Sequence, residues 1–218
     1  MTVTALIRYQ GALLLRSQRW IAPLVVYAAF VAVGVRSGDP VLDALGYAAA
    51  GLVPQTAWLV RICVTGEPPA ARDCSAAAAG PTRVHAAALL TALGGSLLAG
   101  AAGAAFAMLL GDFQRQPPAE VALAGAVGVA VCALTGAAVG AVCSRPLVRG
   151  RGLAVLAGGV GSLLAWVAAF SPARSAVSAL VTAARSDTVP LPLGALAGAL
   201  LLAGAAGAVA CLVSARRG

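Results

Sequence analysis

Six apolar runs alternate with short polar segments along the chain, at about Trp20–Val35, Val41–Val64, Ala86–Leu110, Val121–Cys143, Leu153–Phe170 and Leu193–Ala215. A helix needs about 20 mainly apolar residues to cross a bilayer, so the pattern predicts an all-α, polytopic membrane protein with six transmembrane helices in a single domain. Three further segments carry helical signals without the length to cross. Residues 2–19 place Leu6, Ile7, Leu13 and Leu14 on one side of a helical wheel and Arg8, Arg16 and Arg19 elsewhere, with Gln10 and Ser17 intruding on the apolar side. This reads as an N-terminal interfacial helix. A signal peptide is the alternative, and the arginine-bearing lead and many later runs speak against it.

The second segment separates the second and third runs. It reads Gly66-Glu67-Pro68-Pro69-Ala70-Ala71-Arg72-Asp73-Cys74-Ser75, continues through four alanines and ends at Gly80-Pro81. Prolines in the first turn and Gly-Pro after the last mark a short, stiff helix, expected to hold Glu67, Arg72 and Asp73 outward. The third segment, Ser171–Pro192, opens on an N-cap and first-turn proline. It repeats Val177, Leu180, Val181 and Ala184 at helical spacing opposite Arg174, Ser178 and Arg185, predicting an outer amphipathic helix ended by Asp187 and Pro190.

The arginines orient this layout. Arg8, Arg16, Arg19, Arg61, Arg72, Arg83, Arg145, Arg149, Arg151, Arg216 and Arg217 fall on one side, and Arg36, Arg115, Arg174 and Arg185 on the other, together with Asp39, Asp43, Asp112, Glu120 and Asp187. The positive-inside rule then expects both termini in the cytoplasm and Glu67–Ala79 beside them.

Composition narrows the function. Of 218 residues, 61% are hydrophobic and 10% charged, against about 25% charged in an ordinary soluble domain. The net charge of +8 is spread over the ends of apolar runs, a membrane pattern and not a nucleic-acid interface. All 15 basic residues are Arg, which excludes a Walker A phosphate loop and a Schiff-base lysine. The same bias toward Ala, Gly and Arg matches coding in high-G+C bacteria and points to a bacterial inner membrane. The 5 cysteines form no C-x-x-C pair and the single His85 cannot anchor a histidine cluster, so a disulfide framework, a metal site or a catalytic triad is not expected.

Within the runs, Pro54 removes a helix hydrogen bond beside Gln55 and Thr56, predicting a kink. The polar neighbourhood is read either as a pathway wall or as simple interhelix bonding. Gly136/Gly140 and Gly194/Gly198 fit the small-xxx-small pattern, but 26 glycines produce such pairs by chance.

The layout resembles the permease subunit of ABC-2 type transporters. The resemblance rests on the interfacial helix with Arg8, Arg16 and Arg19, six spans with both ends inside, the short helix at Pro68–Ala79 and the outer segment Ser171–Pro192. The run Thr56-Ala57-Trp58-Leu59-Val60-Arg61, continuing through Glu67-Pro68 and Arg72-Asp73, is similar to permeases of actinobacterial exporters. The resemblance implies a dimer with a second permease, identical or related, and two copies of a separate ABC ATPase that hold ATP and magnesium. It implies that Pro68–Ala79 is a coupling helix with Glu67, Arg72 and Asp73 as ATPase contacts. Spans 2 and 5 would line the path, with Tyr47, Gln55, Ser162 and Trp166 as its residues. The expected function is outward transport of a hydrophobic or amphipathic compound, by a chain that is not itself an enzyme and carries no cofactor. The competing class is a stand-alone six-span secondary carrier, or a membrane scaffold or immunity protein. No similarity between spans 1–3 and 4–6 supports the inverted repeat common in carriers.

Overall fold

A computed structural model describes the chain except Met1, Arg115, Pro146, Arg149, residues 186–188, Pro190, Gly218 and the side chains of Pro69, Arg151 and Arg217. The described residues form helices α1 (Val3–Ser17), α2 (Ile21–Gly34), α3 (Val41–Thr65), α4 (Pro69–Ala79), α5 (Pro81–Leu110), α6 (Pro118–Cys143), α7 (Arg151–Val167), α8 (Pro172–Ala183) and α9 (Leu193–Arg217). Proline in the first turn starts α4, α5, α6 and α8, where its missing N–H has no intrahelical partner to lose. Gly80, at φ +86°, turns α4 into α5 through a backbone region that side chains disfavour.

Four helices, α3, α5, α6 and α9, are long and apolar enough to cross a membrane. The count reaches 6 if α1 with α2, bent by 77°, and α7 with α8, bent by 46°, each form one broken span. The expected first and fifth spans are the short members: α2 has 14 residues and α7 has 17, roughly 21 and 26 Å at about 1.5 Å per residue. Leu98, Leu109 and Leu201 are more than 70% exposed. Apolar surface so exposed on several helices is that of a transmembrane protein in contact with lipid or other apolar partners.

α3 is the hub and packs against α2, α5, α6, α7 and α8. Leu42, Leu45, Leu52 and Val53 on α3 form one core with Val121 and Val129 of α6 and Leu180 of α8. At one end the loops tie together: Val41 N–H donates to Asp112 O (3.0 Å) and Asp112 N–H to Asp39 O (2.8 Å). Gln116 Nε2 of the same end donates to Ala183 O of α8 (3.4 Å). α4 lies at the opposite end, where α3 finishes and α5 begins.

One expectation changes at α8, the cap at its start. The face carrying Val177, Leu180, Val181 and Ala184 is turned into the bundle: Leu180 and Ala184 are buried, Val177 packs against the same core, and Ala173, Ala176 and Ala183 are buried beside them. Gly46 of α3 and Gly128 of α6 have no side chains to hold it off, and Leu180 packs against both. The Ser171 hydroxyl makes no capping bond and is buried without a partner among the described residues. The signals at Asp187 and Pro190 lie outside the described residues.

Candidate functional site

Two places combine polar chemistry with shape. The first is the corner where α1, α4 and the end of α3 meet. Glu67 is 8% exposed. Its carboxylate accepts from the Tyr9 hydroxyl (3.0 Å), Gln10 Nε2 (3.2 Å) and the Ser75 hydroxyl (3.3 Å). Burying a carboxylate is costly unless hydrogen bonds replace its water, and here donors from two helices do so. Partial burial and the bond to Glu67 raise the Tyr9 phenol above its ordinary pKa, because phenolate beside carboxylate is disfavoured. Leu6 of α1 packs with Val84 and Ala87 of α5 beneath this cluster, so α1 is docked on the bundle. His85 is buried nearby on α5, with no partner for either ring nitrogen among the described residues.

Glu67 is therefore not held outward as expected. It faces inward because Tyr9 and Gln10, more than fifty residues away in sequence, supply the donors that water would otherwise provide. Arg72 is half-buried and donates from Nη1 to Val64 O at 3.1 Å, fastening α4 to the end of α3. Only Asp73 of the three is exposed.

The second place is a cavity of about 290 Å³ between α3, α6 and α7. Pro54, Ala57, Trp58 and Arg61 wall it from α3, Gly140, Cys143 and Ser144 from the end of α6, and Ala154, Val155, Gly158, Gly159 and Ser162 from α7. Residues three, four and seven apart share a helix face, which is why these positions line up from Pro54 on α3 and from Val155 on α7. Trp58 and Val155 are the exposed large side chains of this lining, at 43% and 54%. The Ser144 hydroxyl is buried and finds no partner among the described residues.

Of the four expected path residues, only Ser162 lines this cavity. Gln55 follows Pro54 by one residue, so it points about 100° away around the helix; it is buried and accepts from the Thr56 hydroxyl at 3.4 Å. Tyr47 stacks on Phe30 with ring centroids 4.2 Å apart, over Gly34, and belongs to the α2–α3 contact. Trp166 donates from Nε1 to Ala50 O at 3.1 Å. That carbonyl is the one an N–H at position 54 would bond in an α-helix, and proline has none. Trp166 thus repairs the break that Pro54 makes. Arg61, Trp58 and Ser144 were missed as site residues, although the helical spacing from Pro54 to Ala57, Trp58 and Arg61 was readable.

Among the described residues no three His, Cys, Asp or Glu side chains could hold a metal ion together. No protein-family model, curated protein or solved structure matches the chain.

Proposed function

We propose that the chain is the membrane permease subunit of an ATP-driven ABC exporter in a bacterial cell membrane, with both termini cytoplasmic and all six apolar runs crossing. Two copies of a separate ATPase would hydrolyse ATP with magnesium, and a second permease, identical or related, would complete the path for a hydrophobic or amphipathic cargo. The observation that carries the proposal is the anchoring of α4. A connector between adjacent spans needs only a few residues, yet α4 is an 11-residue helix. It is fixed to α1 through Glu67 and to α3 through Arg72. A helix held this firmly transmits a push from outside to α1 and α3 at once. In this reading Asp73 presents the contact, while Glu67 and Arg72 hold α4 in place.

The test is co-purification with an ATPase followed by cargo-stimulated hydrolysis. Deletion of Pro69–Ala79 is expected to abolish stimulation, and Glu67→Ala to reduce it at least fivefold with the assembled complex intact. Undiminished stimulation after the deletion would falsify coupling through α4. One observation favours a stand-alone carrier instead: the cavity is lined by helices of a single chain beside the proline in α3. Ion-gradient-driven transport by the reconstituted chain alone would decide for that reading.

A further inference from the structure

The cavity between α3, α6 and α7 has the polarity of a specific class of ligand. Its walls are mostly apolar or small, Trp58 and Val155 among them are exposed, and Arg61 and Ser144 stand together at one end, whereas the Ser162 hydroxyl on α7 is already bonded to Gly158 O. There Arg61 and the Ser144 hydroxyl lie one turn from the end of α3 and just past the end of α6. Ser144 is 2% exposed and its hydroxyl bonds to nothing among the described residues, which in a buried polar group calls for a missing partner. From Arg61 to Pro54 the wall extends seven residues along α3, or roughly 10 Å at about 1.5 Å per residue. The volume of about 290 Å³ stands at the lower end for small-molecule sites, roughly 300 to 1,000 Å³.

We infer that this cavity binds a single-chain anionic amphiphile, with the anionic head at Arg61 and Ser144 and the chain running toward Pro54 and Gly158. A guanidinium and a hydroxyl together suit a carboxylate or phosphate, and the volume leaves room for one chain and not two. The inference rests on the transport reading only in calling the occupant a cargo. Binding is measured on this chain alone, so failure here leaves coupling through α4 standing, and failure of coupling leaves the binding site standing.

The chain in nanodiscs of zwitterionic phosphatidylcholine is titrated at pH 8 with 11-bromoundecanoate and with the uncharged 11-bromoundecanol. The saturable quenching of Trp58, taken as the difference from Trp58→Phe, reports occupancy. The anion is expected to half-saturate at a concentration at least tenfold below the alcohol. Ser144→Ala, which removes a hydroxyl with no described partner, is expected to weaken the anion about threefold, and Arg61→Gln to bring anion and alcohol within threefold of each other. Gly158 lines the cavity and a Cβ there meets nothing within 4 Å, so Gly158→Leu adds bulk at the cavity wall with no clash at its first carbon, and is expected to remove saturable quenching by both probes. Equal affinity for anion and alcohol, or quenching that persists in Gly158→Leu, would overturn the site. Displacement of the anion by equimolar phosphatidylglycerol would overturn its assignment to a single-chain ligand.

Discussion

The two sides of α3 use glycine in opposite ways. On the α6 side, a Cβ at Gly136 would lie 2.5 Å from Val53 O and one at Gly140 2.7 Å from Val60 Cβ. The backbones of α3 and α6 approach so closely there that no side chain fits between them. On the α7 side, Gly158 and Gly159 have nothing within 4 Å of where a Cβ would stand. One group of glycines closes a seam and the other leaves a hollow. Close backbone approach adds dispersion contacts over the whole length of a helix pair. A hollow forgoes those contacts. Composition alone does not separate the two, because the residue is the same.

The sharpest way to break this comparison is to place the same side chain on each face. Gly136→Leu is expected to destabilise the protein by more than about 3 kcal/mol, the upper part of the range for overpacking a close-packed interface, and to be read as loss of folded protein in a thermal unfolding assay. Gly158→Leu should leave the unfolding free energy within about 0.5 kcal/mol of the parent, as a substitution into open space does. Equal effects from both would erase the distinction between seam and hollow.

A smaller effect probes how the hollow side is held open. Trp166→Phe removes the donor from Ala50 O and should cost about 1 kcal/mol, the scale of one hydrogen bond. In a Pro54→Ala background the N–H at position 54 satisfies that carbonyl, so the cost of Trp166→Phe should fall by at least half. Additivity of the two substitutions would show that Trp166 and Pro54 are not coupled through Ala50.

The smallest effect lies away from both faces, at the α1–α4 corner. Because folding raises the Tyr9 phenol, its contribution is whole below the unfolded phenol value near 10 and is lost as pH rises through the folded value. The tyrosinate absorbance assigned to Tyr9 by difference from Tyr9→Phe should appear above pH 10, and Glu67→Gln should bring it down toward the ordinary value.

Hydrophobic runs, proline starts and glycine stops are local properties, and they placed the helices of this protein within a few residues. Pro68–Ala79 was expected and α4 covers Pro69–Ala79; the apolar runs fall on α2, α3, α5, α6, α7 and α9. Residue spacing on one helix also contained half of the cavity wall. Tertiary structure decided what each polar residue faces. Glu67 reads as solvated from its neighbours and is buried by donors on α1. Gln10, an apparent flaw in the apolar face of α1, is one of those donors. Trp166 found its role only because a proline more than one hundred residues earlier left a carbonyl unsatisfied. The physical reason is common to all three. Burying a polar group is costly without a partner, and for these three the partners come from sequence-distant helices that only the packing of the bundle brings within hydrogen-bond reach.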